Sequence, residues 1–299
     1  MGKRLLEALP WAGLAGLAAL ALFAMSASAE VLGQSVDGQL GMQPAVTQVA
    51  QEIHHFYDLV NYIIIAVTLF VLGLLVYVMF AFRESRNPTP SRTTHNTTIE
   101  VLWTVLPIII LVIIAVPSFK LLNLQYSYPK ADLTIKATGH QWYWSHEYPD
   151  QGGFAFDSYM LDDDSRKELI EKGLKAPRNL AVDNEVVVPV NKVVHVLVTA
   201  ADVLHNWTVP AFGSKTDAVP GRLTATWFKA EREGVFYGQC SELCGVNHAF
   251  MPIAVRVVSQ QTFDAWVEAR KADDEDKAIE ILRQAELEAN NRKVATAAQ

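Results

Sequence analysis

The sequence predicts a two-helix membrane hairpin followed by a soluble all-β domain, either a β-sandwich or a Greek-key barrel. Residues 59–82 and 101–119 contain no charged side chain, and each run has roughly the 20 residues that a helix needs to cross a bilayer. After Pro129 the pattern changes to short β-rich runs separated by turn residues. The composition agrees, because 51% hydrophobic and 19% charged residues are too apolar for an ordinary soluble chain and too charged for a polytopic transporter.

The first 29 residues have the pattern of a secretory signal peptide. Lys3 and Arg4 precede an apolar stretch rich in alanine and leucine, which ends in the small residues ASA at positions 27–29. This order is typical of a signal that is removed, so we expect residues 1–29 to be cleaved and the mature chain to begin at Glu30. An uncleaved anchor helix is the alternative.

Two spanning helices are expected, at residues 59–82 and 99–122, joined by a loop at residues 83–98. The charged residues at the start and middle of this loop are Arg83, Glu84, Arg86 and Arg92. Because loops with an excess of Arg and Lys stay on the cytoplasmic side of a membrane, residues 83–98 should face the cytoplasm. Residues 30–58, the soluble domain and both mature termini are then extracytoplasmic.

Glu100 is the one acidic residue at the edge of the second predicted span. An ionisable group in this position is a candidate for proton uptake from the cytoplasmic side. The segment TTIE at residues 97–100 also fits a capping box, in which the carboxylate only fixes the start of the helix. Taken without further information, the segment favours the capping role of Glu100 over proton uptake.

The soluble domain is predicted at residues 130–262, where seven or more short strands are typical of a sandwich. The predicted strands begin with alternating residues at 133–137 and continue at 186–190, 193–198, 207–209, 223–228, 235–237 and 253–258. The charged residues 165–175 should form a helical or irregular insertion. Residues 263–299 should be a helical, charged tail, of which about the last twenty residues form a marginal helix or are disordered.

The chain is acidic, with a formal net charge of −7 and a pI of about 5.6. Binding to phosphate backbones needs clustered Lys and Arg, so this balance argues against nucleic acid as a partner. Basic proteins are the more plausible partners, because opposite net charges favour their association.

The densest set of ligand-type residues is the segment CSELCGVNHAFM at residues 240–251. It places two thiols, an imidazole and a thioether close together in Cys240, Cys244, His248 and Met251. His205 lies upstream, after an apparent strand or turn. Soft sulfur donors combined with imidazole are the set that suits copper.

Other readings of these residues are a disulfide, zinc and a single copper ion. A Cys240–Cys244 disulfide is chemically plausible outside the cytoplasm. Zinc accepts two Cys and two His but has no use for a thioether, and its usual knuckle is C-x2-C. A mononuclear blue-copper site needs only one thiolate, with two His and a weak axial Met. The presence of two thiols therefore favours a second copper ion.

The ligand order His205, Cys240-x3-Cys244-x3-His248-x2-Met251 resembles the copper site of the cytochrome c oxidase subunit II family. Three further segments look like hallmark stretches of that family: GHQWYW at residues 139–144, DAVPGR at 217–222 and YGQCSELCG at 237–245. With the two spans, the resemblance covers nearly all of the mature chain up to about Arg270, and it is strongest to the α-proteobacterial form.

The resemblance implies a cupredoxin-like Greek-key sandwich that carries a binuclear copper centre, CuA. In the family both thiolates bridge two copper ions, each imidazole holds one ion, and the thioether is a weak ligand. The implied CuA ligands are His205, Cys240, Glu242 through its main-chain carbonyl, Cys244, His248 and Met251. The Glu242 side chain would in addition reach a Mg or Mn ion at the contact with subunit I.

The resemblance also implies roles for residues away from the copper ligands. Trp142 matches the aromatic side chain where electrons arrive from cytochrome c. The carboxylates implied to dock cytochrome c are Glu147, Asp157, Asp183 and Asp202. Glu100 matches the start of a proton pathway, which reverses the preference for a cap.

The implied partners are the haem-copper subunit I, subunit III, cytochrome c and the lipid bilayer of the bacterial inner membrane, with both termini in the periplasm. Neither predicted span contains a His, so oxygen reduction and proton pumping should belong to subunit I. Two other hypotheses are a membrane-tethered CuA protein that serves another reductase and a copper-delivery or thiol-exchange protein.

Overall fold

Two long helices come first in the computed structural model, which describes residues 32–297. Helix α1 runs Gln48–Ala81 and helix α2 runs Thr97–Gln125. Both are long and apolar enough to cross a membrane. Both also extend beyond the charge-free runs, because polar residues outside a bilayer can continue a helix. The predicted signal at residues 1–29 lies outside the described residues.

The start of α2 differs from the predicted capping box. Asn96 caps the helix, and its side chain accepts a hydrogen bond from the Ile99 N–H at 3.3 Å. The capping box had assigned this role to Thr97, but asparagine is at least as good a cap and stands one residue earlier. Glu100 is therefore displaced by one residue from the position that a box requires.

Hydrogen bonds join both helices to the β domain, at the start of α1 and at the end of α2. Thr47, which caps α1, donates its hydroxyl to the Phe212 carbonyl at 2.8 Å. At the other connection the Trp227 indole N–H donates to the carbonyl of Gln125, the last residue of α2, at 2.9 Å. The hairpin and the sandwich are thus fixed to each other at two points.

The β domain contains ten strands in the described part of the chain. They are β1 Leu133–His140, β2 Tyr143–Glu147, β3 Ala155–Ser158, β4 Val186–Pro189, β5 Val193–Ala200, β6 His205–Val209, β7 Ser214–Ala218, β8 Thr224–Lys229, β9 Gly234–Gln239 and β10 Pro252–Val258. One sheet has the order β3-β2-β1-β5-β8, a second β4-β10-β9, and β6 pairs with β7. The all-β sandwich predicted from the strand pattern is confirmed.

The core lies between these sheets and follows from the alternation of the strands. Along β1 and β5 every second residue is buried, so Leu133, Ile135 and Ala137 face inward while their neighbours are partly exposed. The largest aromatic residues among the buried set include Trp207 and Phe236. This packed framework supports the loops at one end of the sandwich.

The described part of the chain has three further α-helices: α3 Asp163–Glu171, α4 Gln260–Lys271 and α5 Glu275–Ala297. The insertion predicted at residues 165–175 is thus mainly helical. Helix α5 is held to the sandwich, because the buried Glu286 pairs with Arg256 at 2.9 Å and Arg256 also pairs with Glu185. The charged composition of the tail led to the expectation of a marginal helix or disorder. Composition alone does not show that Glu286 has a buried partner in Arg256.

Burial of His146 makes the stability of the domain depend on pH. Its Nδ1 pairs with Ser158 Oγ at 3.1 Å, and desolvation lowers its pKa to about 3. Below about pH 6.5 His146 is protonated in the unfolded chain but stays neutral in the folded chain. The free energy of unfolding should therefore fall by about 1.4 kcal/mol per pH unit as the pH is lowered from about 6 to 4. We expect His146→Gln to flatten this dependence in thermal unfolding, whereas the same change at exposed His95 leaves it unaltered.

Candidate metal centre

The predicted soft-ligand residues meet at one end of the sandwich. His205 is the first residue of β6, and Cys240 directly follows β9. The loop from β9 to β10 carries the other ligand-type residues and is anchored where the Ser241 N–H donates to the Asn206 carbonyl at 3.2 Å. A ligand from β6 and a loop from β9 therefore converge because the two strands are neighbours in the packed domain.

The donor atoms form a continuous series of short contacts. Cys240 Sγ lies 3.9 Å from His205 Nδ1 and 3.8 Å from Cys244 Sγ. Cys244 Sγ lies 3.5 Å from His248 Nδ1 and 3.5 Å from Met251 Sδ. Each thiol thus has its own imidazole, and the two thiols face each other.

The chemistry of this donor set fits copper. Cys240 and Cys244 are both free thiols and both buried, which leaves their sulfur atoms available as ligands. The Met251 side chain is 1% exposed, and its sulfur is directed at a thiol rather than only at core side chains. Thioether, thiolate and imidazole together are the combination that copper accepts and zinc does not use in full.

The electrostatics of the cluster favour one thiolate near neutral pH. Burial raises the pKa of the Cys240 thiol, but hydrogen bonds with His205 and with main-chain groups outweigh this and lower it to about 7. Burial and the neighbouring Cys240 sulfur raise the pKa of Cys244 to about 12. Metal binding deprotonates cysteine ligands, so loading of this site should release at least one proton.

Asp202 directly contacts His205, the candidate metal ligand on β6. Its Oδ1 accepts a hydrogen bond from His205 Nε2 at 2.9 Å, which leaves Nδ1 directed at Cys240. Burial opposes protonation of His205, but the hydrogen bonds with Cys240 and Asp202 raise the pKa of its imidazole. A carboxylate on the second ring nitrogen fixes the tautomer and orientation of a metal-bound histidine. The sequence indicated only a docking role for Asp202. Its position three residues before His205 was the pattern that could have indicated their contact.

Replacement of Asp202 should therefore weaken metal binding at this site. We expect Asp202→Asn to weaken copper binding by about 10- to 100-fold, the usual cost of losing such a support. Asp157→Asn is the matched control, because it removes the same charge from an exposed carboxylate whose described hydrogen bond is with Ser145. Copper titration of both variants checks this, and equal copper affinities would contradict the supporting role.

The two tryptophans of the hallmark segment GHQWYW lie at different depths. Trp142 stands in the turn before β2, is half-buried, and donates its indole N–H to the Cys244 carbonyl at 3.2 Å. Trp144 is fully buried and donates to the Met251 carbonyl at 3.3 Å. Strand alternation could not separate them, but the turn places only Trp142 near the surface. Gln141, which the sequence did not single out, also contacts the Cys244 carbonyl, at 2.9 Å.

The other three predicted docking carboxylates lie away from the metal ligands, near the β2–β3 edge. Glu147 pairs with Lys136 at 3.3 Å, with both side chains 40% exposed. Asp157 is exposed opposite Ser145 in the paired strand, and Asp183 accepts the Tyr159 N–H at 2.8 Å. Burial raises the pKa of Asp183. Unlike Asp202, none of these three carboxylates has a described hydrogen bond to a candidate metal ligand.

The two remaining predicted residues lie in different parts of the molecule. The Glu242 carbonyl accepts from Cys240 Sγ at 3.3 Å, so its main chain belongs to the cluster while the residue itself is exposed. Glu100 is half-buried in the first turn of α2. At about 1.5 Å per residue, it lies roughly 37 Å along the helix from the end that contacts the sandwich.

A membrane hairpin and a sandwich with a thiol, imidazole and thioether site define a class of membrane-anchored copper proteins. Two described protein families match successive parts of the chain. The family described as "Cytochrome C oxidase subunit II, periplasmic domain" matches residues 133–258, and the family "Cytochrome C oxidase subunit II, transmembrane domain" matches residues 35–121. The chain belongs to the cytochrome c oxidase subunit II family and is a subunit of a haem-copper oxidoreductase complex.

Individual relatives support the same family. Cytochrome c oxidase subunit 2 of Cereibacter sphaeroides is 49% identical over 269 residues, which cover 86% of this chain and 88% of that protein. The probable subunit 2 of Rickettsia bellii is 50% identical and covers 78% and 84% of the two chains. A crystal structure of the periplasmic domain of subunit II from Bradyrhizobium japonicum is 62% identical, covers 48% and 97%, and has a TM-score of 0.44.

Proposed function

We propose that this subunit accepts electrons from cytochrome c at a binuclear copper centre and delivers them to the haem of subunit I. The observation that carries the proposal is the pairing of each thiol with its own imidazole. Cys240 lies beside His205 and Cys244 beside His248, at 3.9 and 3.5 Å, with the two sulfurs 3.8 Å apart. Two thiol–imidazole pairs whose sulfurs face each other suit two metal ions held by both cysteines.

The remaining donors divide between the two halves of the site. His205 and the Glu242 carbonyl are adjacent to Cys240, whereas His248 and Met251 are adjacent to Cys244. Copper held by these residues would supply a centre that accepts and releases one electron. The chain supplies ligands held by a packed sandwich, which limits their movement when the charge changes.

Trp142 is the proposed side chain through which electrons reach this site. It is partly exposed, and its indole N–H bonds to the main chain of Cys244, so one residue joins the surface to a ligand. The carboxylates Glu147, Asp157, Asp183 and Asp202 would attract a basic cytochrome c. Such long-range attraction acts mainly on the association rate and weakens with salt.

The membrane part supports further proposals about location and partners. We place the chain in the bacterial inner membrane, with both termini in the periplasm and the Arg-rich loop in the cytoplasm. Subunit I and subunit III would cover the apolar helices. Glu100 would start a proton pathway at the cytoplasmic end of α2, and the exposed Glu242 carboxylate would ligate Mg or Mn together with groups of subunit I.

Metal analysis and EPR on the complex purified from its native membrane test the copper centre. We expect two copper ions per chain and, in the oxidised form, one unpaired electron shared by both. A metal-free protein or a single isolated copper would contradict the binuclear centre. Copurification of a haem-bearing partner separates an oxidase subunit from a tethered copper carrier that serves another reductase.

Trp142→Phe should slow electron transfer from cytochrome c while leaving the copper content intact. The phenyl ring keeps part of the aromatic surface but removes the N–H that bonds to the Cys244 carbonyl. Rapid mixing of the oxidised complex with reduced cytochrome c measures the effect. Loss of copper in this variant would show that Trp142 has a purely structural role.

A further inference from the structure

Gln141 bonds to both segments that carry the metal ligands. Its main-chain N–H donates to Asp202 Oδ2 at 2.7 Å, while Asp202 Oδ1 accepts from His205 Nε2 at 2.9 Å. Its side-chain Nε2 donates to the Cys244 carbonyl at 2.9 Å. Through these bonds one exposed residue connects the segment before β6 with the loop after β9.

The Cys244 carbonyl accepts from Gln141 and Trp142 together. The Trp142 indole N–H reaches this oxygen at 3.2 Å, beside the Gln141 amide. Gly245 leaves space for both, since a Cβ at that position would lie 2.9 Å from Trp142 Cζ2 and 3.1 Å from Gln141 Nε2. The indole is therefore held against the ligand loop by a hydrogen bond and by close packing.

We propose that Gln141 is a positioning residue for electron uptake, which holds the Trp142 indole and the Cys244 carbonyl in their mutual contact. The proposal rests on the proposed role of Trp142. Gln141 contacts the main chain of Cys244 and not its sulfur, so it affects the route to the metal more than the ligands themselves. A misplacement of about 1 Å between reacting groups can reduce a rate about 100-fold.

Gln141→Met tests the proposal in the purified oxidase complex, because methionine keeps the length of the side chain and removes its N–H donor. We expect an unchanged copper content and EPR spectrum, with electron transfer from reduced cytochrome c slowed by about three- to tenfold, as for loss of one hydrogen bond. The KM for cytochrome c and its salt dependence should stay the same. Gln261→Met, the same exchange at an exposed position of α4, should leave the rate unchanged.

The double variant Gln141→Met/Trp142→Phe shows whether the glutamine acts through the indole. If it does, Gln141→Met slows the Trp142→Phe protein much less than it slows the parent. Equal slowing in both backgrounds, loss of copper, or a normal rate in Gln141→Met would each overturn the positioning role. A normal rate in Trp142→Phe alone would instead contradict the proposed function, so the two failures are distinguishable.

Discussion

Cys244→Ser is expected to abolish the binuclear copper centre. Cys244 has the most central sulfur of the cluster, within 3.8 Å of Cys240 Sγ and 3.5 Å of both His248 Nδ1 and Met251 Sδ. A serine oxygen is a harder donor on a shorter side chain, so it would neither bridge two copper ions nor match a thioether-containing site. We expect at most one copper per chain, loss of the shared-electron EPR signal and loss of electron transfer from cytochrome c.

The loop itself offers a matched control. Ser241 is exposed, and its hydroxyl bonds only to the Gln239 carbonyl among the described contacts, at 3.3 Å. Ser241→Ala should therefore retain two copper ions and normal activity. Cys240→Ser should also lose the pair, although the Cys244, His248 and Met251 donors would remain for one ion. Two copper ions in the Cys244→Ser protein would contradict the bridging arrangement.

The convergence of the candidate metal ligands could be predicted because most of them are local in the sequence. Cys240, Cys244, His248 and Met251 fall within twelve residues, and soft donors at that spacing have few other uses. The membrane helices and the main strands were predictable for a similar reason, since hydrophobic runs and two-residue alternation are local patterns. Only His205 had to be added from a distant strand.

The interactions that support the ligands are not local, and the sequence did not predict them. Asp202 was identified only by its charge, whereas its bond to His205 depends on how the segment before β6 turns. Gln141 reaches the Cys244 carbonyl from the β1–β2 turn, across more than a hundred residues of chain. The docking of α5 is of the same kind, because Glu286 and Arg256 are brought together only by the packed sandwich.

The close approach of β1 to His205 gives a second prediction with a large effect. Gly139 packs so tightly against His205 that an added Cβ would lie 2.8 Å from Cδ2, 2.9 Å from Cγ and 3.1 Å from Cβ of the histidine side chain. The ring has little room to move, because it is 0% exposed, bonded to Asp202 and packed against Trp144. Only glycine fits this position of β1 without displacing the ligand.

Gly139→Ala should therefore weaken copper binding by about 10- to 100-fold, comparable to loss of a ligand's support, and destabilise the domain by about 1–3 kcal/mol through overpacking. Gly41→Ala is the control, since a Cβ there meets nothing within 4 Å. Copper titration and thermal unfolding of both variants measure the two effects. Normal copper affinity in Gly139→Ala would mean that the imidazole can shift by several tenths of an ångström, and that the ligand geometry is less dependent on β1 than these contacts imply.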